Sequence, residues 1–225
     1  GILKQYFTKG VSNKLNPVKT YEDGKIVIVN FPVKEYGISG IYAQAVYKKI
    51  YQDAIERRNA KTDPWPVFLY IDESQYFVNK HDTKFQTTAR SARACTVLIT
   101  QNISNYYASI GGKYPKENTD SLLGNLSTKI FHTNNDPVTN EWAAKAIGKT
   151  FQQQRSISSG TGEDSGSTTL SEALNDQVQP AQFTTLKEGG DLNGGVVEAY
   201  VIVAGKTWDN GKNYQKVSFR QNQKP

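Results

Sequence analysis

Apolar positions in this chain come in compact bursts separated by long polar stretches. Residues 25–30 (KIVIVN) form a continuous β-branched run that reads as a buried strand. From Tyr42 through Val46, Tyr47, Ile50, Tyr51, Ala54 and Ile55 the spacing changes to three and four. That spacing predicts an amphipathic helix over about 40–59 with its tyrosines turned to a core. Pro64 and Pro66 stop the helix and lead into residues 67–71, a second buried strand. A helical stretch over 82–93 and a third apolar run over 95–100 follow. Helical patterning returns over 119–126, then a fourth strand over 129–133, then a helix over 137–147 opened by Pro137 and closed by Gly148. Strands alternate with helices, so the pattern predicts an α/β fold with a mostly parallel sheet flanked by helices.

The pattern then changes. Residues 152–179 are rich in Gln, Ser, Gly and Thr with few apolar positions, and read as a flexible polar linker or loop. Beyond them, apolar runs over 196–203 and 214–219 flank Asp209, Asn210, Gly211 and Lys212, the signature of a β-hairpin. The expected organisation is a main body over 1–151, the linker over 152–179, and a C-terminal hairpin over 180–225 completing the same domain.

Composition narrows the function classes. The 225 residues include 37% hydrophobic positions, enough for a sizeable core. No apolar run approaches the ~18 residues that span a bilayer, so a soluble chain is expected. The one cysteine, Cys95, excludes a disulfide framework, fits a reducing cytoplasm, and is expected to pack in the core. His81 and His132 stand too far from other ligating residues to suggest a metal site. The net charge of +6 is one-sided: residues 1–62 hold 11 lysines and arginines against 5 acids, and residues 63–225 hold 16 of each. Such a segment suits either a phosphate-bearing partner or a solvated surface.

The sharpest chemical signal is four apolar residues followed by Asp72 and Glu73, two acids at the carboxyl end of a predicted buried strand. Ligands of open α/β sheets bind at that end. There a carboxylate can hold Mg²⁺ through its water shell while its neighbour orients or deprotonates an attacking water, the Walker B arrangement. Strands also end in acids simply because the chain leaves the core. A second signal is the polar pair Thr100 and Gln101 closing the next predicted strand, placed to sense a phosphate by hydrogen bonding. Arg90, in the intervening helical stretch, could reach a neighbouring subunit as an arginine finger, or could be an ordinary solvated charge together with Arg93.

These residues carry a family resemblance. Residues 70–77 (YIDESQYF), 85–93 (FQTTARSAR) and 97–107 (VLITQNISNYY) resemble the conjugative coupling proteins of type IV secretion, the TraG/TraD type. Residues 123–131 (LGNLSTKIF), 135–143 (NDPVTNEWA) with Ile147 and Gly148, and 178–186 (VQPAQFTTL) resemble the same family in the same order. The resemblance implies a RecA-like, ring-forming motor that uses ATP and Mg²⁺ to drive DNA or protein into a secretion channel. Its expected partners are relaxosome components and the channel, its expected assembly a hexamer, and its expected place the cytoplasmic face of the bacterial inner membrane. By match, Asp72 is the Mg²⁺-associated acid, Glu73 the catalytic carboxylate, Gln101 the sensor, and Arg90 the finger acting in trans. Arg93 stands where many relatives have glycine.

One departure matters. Such a motor needs a P-loop, whose backbone amides and lysine cradle the phosphates. Residues 143–150 (AAKAIGKT) fit a loosened version of that string but fall in and after a predicted helix; residues 205–207 (GKT) lack the first glycine, its place being taken by Tyr200. The P-loop and a membrane anchor are therefore expected upstream, in keeping with a chain that begins with Gly1 and not Met. Two other readings compete: a DNA translocase of the segregation or repair type, and a non-catalytic module that docks relaxosome or accessory proteins.

Overall fold

A computed structural model describes residues 16–159 and 166–221. The chain divides into two compact units, Gly1–Leu126 and Ser127–Pro225, ahead of the expected boundary at 151.

In the first unit, α1 (Pro17–Glu22) is capped by the Asn16 side chain, and a long helix α2 spans Val33–Arg57. Gly37 sits inside α2 with φ 53°, the left-handed region that only glycine takes freely, and kinks the helix near its start. Strand β1 (Val67–Ile71) follows, then α3 (Lys80–Ala89), β2 (Ala94–Leu98), α4 (Ile103–Ile110) and α5 (Pro115–Gly124). Strands β1 and β2 pair in parallel, Val67 opposite Ala94 and Ile71 opposite Leu98. One face of this pair is covered: Tyr51 and Ile55 from α2, Phe85 and Ala89 from α3 and Val67 from β1 form one buried cluster. Burying Phe85 alone contributes about 1.5–3 kcal/mol. Val78, Tyr106, Ile110 and Leu122 form a second cluster under α4 and α5.

The second unit begins with β3 (Thr128–Phe131) and α6 (Pro137–Ile147), whose N-terminus is capped by Asp136. Strands β4 (Lys149–Ser159) and β5 (Gly166–Asp176), the short helix α7 (Pro180–Phe183), β6 (Val196–Val203) and β7 (Tyr214–Arg220) complete it. The order in its main sheet is β3-β6-β7, all antiparallel. Ala143, Ala144, Ile147, Val178, Phe183, Leu186, Tyr200 and Tyr214 make its core.

The α/β architecture, the parallel strands and the C-terminal hairpin form as expected, and several local expectations are corrected. Residues 25–30 form no strand; Ile26 and Ile28 are 93% and 85% exposed. An apolar run reports only a demand for burial, and no strand among the described residues pairs with it. In α2 the buried face is Ala43, Lys48, Tyr51, Gln52 and Ile55, while Tyr42, Val46 and Ile50 face outward. Cys95 is exposed, not core: it lies opposite Phe68 on the uncovered face of the β1–β2 pair. The fourth expected strand pairs antiparallel with β6 and not with the parallel strands. Over its described residues the segment 152–179 is no structureless linker. Strands β4 and β5 pair along their full length from Lys149–Asp176 to Ser159–Gly166, a ladder made by main-chain groups that composition does not report.

Candidate functional site at the carboxyl ends of the parallel strands

The chain leaves β1 at Ile71 and turns at once through Asp72 and Glu73. Glu73 has φ 46° and ψ 43°, a left-handed conformation rare for a side chain of its size. What holds it there is the next residue. Ser74 donates its backbone N–H to the Ile99 carbonyl at 2.9 Å and its hydroxyl to the same oxygen at 2.8 Å. The Ser74 proton being spent, the buried Tyr106 hydroxyl donates to Ser74 Oγ. Burial pushes the Tyr106 phenol up to about 12, against the lowering effect of that hydrogen bond. The turn after β1 is thus fastened to the end of β2 and to α4.

This fastening aims the acids. Asp72 is exposed, and its Oδ1 accepts the Glu73 N–H at 2.9 Å. Both oxygens of the Glu73 carboxylate are engaged. Oε2 accepts from Gln75 Nε2 at 2.5 Å, and Oε1 accepts from Gln101 Nε2 at 3.2 Å. Thr100 donates its hydroxyl to Gln75 Oε1 at 2.8 Å and makes a longer 3.3 Å contact to the Asn102 carbonyl. The structure therefore brings together Asp72, Glu73, Thr100 and Gln101, four of the residues singled out in the sequence.

Arg90 lies elsewhere. It caps the C-terminus of α3, is exposed, and its guanidinium makes no hydrogen bond or ion pair among the described residues. Arg93 differs: its Nη1 donates to the Pro64 carbonyl, and its backbone is left-handed with φ 50°. A glycine would adopt that φ without strain.

Three contributors escaped sequence reasoning. Gln75 and Ser74 sit inside the acid motif but carry no periodic signal. The third is a buried ion pair below the site: Lys48 Nζ lies 2.5 Å from Asp82 Oδ2 and also donates to the Phe77 carbonyl. Gln52 Nε2 donates to Asp82 Oδ1 at 2.9 Å, and the Asn79 N–H donates to Asp82 Oδ2 at 2.8 Å. Burial pushes the Lys48 amine down, and the Asp82 charge opposes that. The network joins α2 to α3 and to the chain following the acids. Its one legible trace is the Asn79-to-Asp82 spacing of a capping box, which α3 forms.

Among the described residues no group of three or more His, Cys, Asp or Glu side chains is placed to hold a metal ion. A single exposed carboxylate, Asp72, fits a cation held through water and not one bound in a protein cage. Neither lysine-bearing string is built as a phosphate cradle: residues 143–147 are the end of α6, Gly148 caps it, and Lys149 opens β4, while residues 205–207 follow β6 in a turn.

A parallel strand pair with helices on one face, two acids at its carboxyl end and polar residues closing the next strand make an α/β fold with its candidate site at the strand ends. Residues 66–188 match the family TraG-D_C, described as the TraM recognition site of TraD and TraG, and the chain belongs to that family. The fold is similar to the bacterial conjugative coupling protein TrwB lacking its first 70 residues, at TM-score 0.62 and 17% identity over 85% of this chain and 41% of that one. It is similar also to the plasmid coupling protein TrwB in complex with ADP and Mg²⁺, at TM-score 0.59 and 17% identity over 85% of this chain and 40% of that one. The chain thus spans about two fifths of the proteins it resembles. No curated protein matches its sequence.

Proposed function

We propose that this chain is part of a conjugative coupling ATPase that drives DNA or protein substrate into a type IV secretion channel. The observation that carries the proposal is the Glu73 carboxylate held by two amides, Gln75 and Gln101, at the carboxyl ends of adjacent parallel strands. A carboxylate fixed at both oxygens is placed to orient and deprotonate a water for attack on a γ-phosphate. Gln101, bonded to Glu73 and exposed, is placed to register the presence of that phosphate. Thr100 acts indirectly, since its proton goes to Gln75. Asp72 would hold Mg²⁺ through water, and the ion would neutralise charge on the phosphate oxygens. Arg90, unengaged and exposed, suits a finger offered to a neighbouring subunit of a ring, hexameric by family resemblance, better than Arg93, which is bonded to Pro64.

The complex of TrwB with ADP and Mg²⁺ supports ATP and Mg²⁺ as the cofactors of the complete protein. The family description supports a TraM-like relaxosome partner, and the proposed work would be done at the cytoplasmic face of the inner membrane. No helix among the described residues is long and apolar enough to cross a membrane.

In the complete protein, Glu73→Gln should abolish ATP turnover and leave Mg-ATP binding nearly unchanged, because it keeps shape and removes the basic charge. Mixing Glu73→Gln with Arg90→Ala subunits should restore part of the activity, since an intact Glu73 then faces an intact Arg90. Turnover by the Glu73→Gln protein would overturn the proposal. A dead mixture of normally assembled subunits would remove Arg90 as the finger.

A further inference from the structure

Gln75 is 6% exposed, two residues beyond Glu73, and lies between the two strand ends. A primary amide has an acceptor face and a donor face, and here each is assigned by its neighbour. The Glu73 carboxylate is acceptor-only, so the group facing it at 2.5 Å must be the NH₂. The Thr100 hydroxyl donates to the other end, the Gln75 oxygen, at 2.8 Å. The order Thr100–Gln75–Glu73 therefore runs donor to acceptor in one direction, and reversing the amide would set two oxygens against each other. Gln101 closes the circuit from the following residue of the same strand end.

From this directed relay we infer that Gln75 is a positioning residue. It fixes the rotamer of Glu73 and couples it to the end of β2, so that a shift of Thr100 and Gln101 is transmitted to the carboxylate. The inference rests on the reading of Glu73 as the water-activating base. Two features make the coupling stiff. The Glu73 backbone is locked in its left-handed turn by Ser74 and Tyr106, leaving the side chain as the adjustable part. Gln75 is itself buried, so its amide has no water to exchange partners with.

The test uses the complete protein and three variants, Gln75→Leu, Gln75→Glu and Glu73→Gln, with ATP turnover, Mg-ATP binding and thermal midpoint measured on each. Gln75→Leu should lower kcat roughly 10- to 100-fold, because a misaligned base loses rate on the order of 10²-fold per ångström. KM and nucleotide affinity should stay within about twofold, since the residue acts only through Glu73. Gln75→Glu keeps the shape and sets a second carboxylate against Glu73, so kcat should fall at least as far. A merely structural role would instead depress affinity and thermal midpoint along with kcat. If either Gln75 variant folds and retains wild-type kcat, the inference fails. If Glu73→Gln itself retains turnover, the reading of Glu73 fails first. Loss of turnover in Glu73→Gln with full turnover in Gln75→Leu overturns the relay alone.

Discussion

At the scale of single residues, the acids of the site, exposed Asp72 and half-buried Glu73, rest on buried groups that satisfy one another, Ser74, Gln75 and Tyr106 among them. Tyr106 gives this a measurable consequence. Its phenol is pushed up to about 12 by burial, while in the unfolded chain it titrates near the ordinary value of 10.0. Above pH 10 the unfolded state loses this proton first and binds fewer protons than the folded state. Stability is therefore fully present below pH 10 and falls as pH rises towards 12, by an amount on the order of 2–3 kcal/mol. Burial raises Tyr21, Tyr47, Tyr51 and Tyr200 as well, so they add to the same slope. Denaturant unfolding of wild type and Tyr106→Phe at pH 9 to 12 should show a shallower alkaline decline in the variant. Parallel curves would mean that the phenol ionises equally well in both states.

At the scale of elements, what was legible in the sequence depended on whether a segment has one face or two. Strands β1 and β6, helix α6 and the β6–β7 hairpin were legible because each couples apolar spacing to a stop signal: Pro66, Gly148, or the Asn210–Gly211 turn. The acid pair and the Thr100–Gln101 end were legible for the same reason, since both lie where an apolar strand stops. Gln75 and the Lys48–Asp82 pair were not, because a buried polar group is defined by partners distant in sequence. Helix α4 was hidden by its length, eight residues, too few to repeat an apolar spacing. The β4–β5 ribbon was hidden most completely: Phe151 and Leu174 lie opposite each other but are 70% and 53% exposed, so this apolar pair marks no buried face from which a strand could be read. Among the residues whose side chains are described, that ribbon contributes none to the core of its unit. Its first and last residues, Lys149 and Asp176, are paired, and the Gln177 N–H donates to the Gly148 carbonyl at its base. Replacing residues 150–175 by a two-residue Asn-Gly turn should therefore shift the thermal midpoint by no more than about 4 °C, the equivalent of roughly 1 kcal/mol. Loss of cooperative unfolding would show instead that the ribbon is part of the core.

At the scale of the whole chain, the residues proposed to act on a phosphate and the residues that would hold it are separable. Asp72, Glu73, Thr100 and Gln101 offer carboxylates, amides and a hydroxyl, groups that orient water or read an oxygen but do not neutralise the charge of a triphosphate. Tight binding of that charge needs successive backbone N–H groups and a lysine at a helix N-terminus. Lys149 and Lys206 are the lysines of the two strings that resemble such a loop, and both follow the wrong element, a helix end and a strand-to-turn step. The basic excess of residues 1–62 does not replace a cradle, because solvated lysines attract phosphate weakly and lose that attraction in salt. Calorimetric titration of the 225-residue chain with Mg-ATP at physiological ionic strength should therefore give no saturable binding below about 1 mM, an affinity of roughly 4 kcal/mol. Micromolar binding abolished by Lys149→Ala or Lys206→Ala would overturn this separation, since it would show that one of the two lysines does hold the triphosphate.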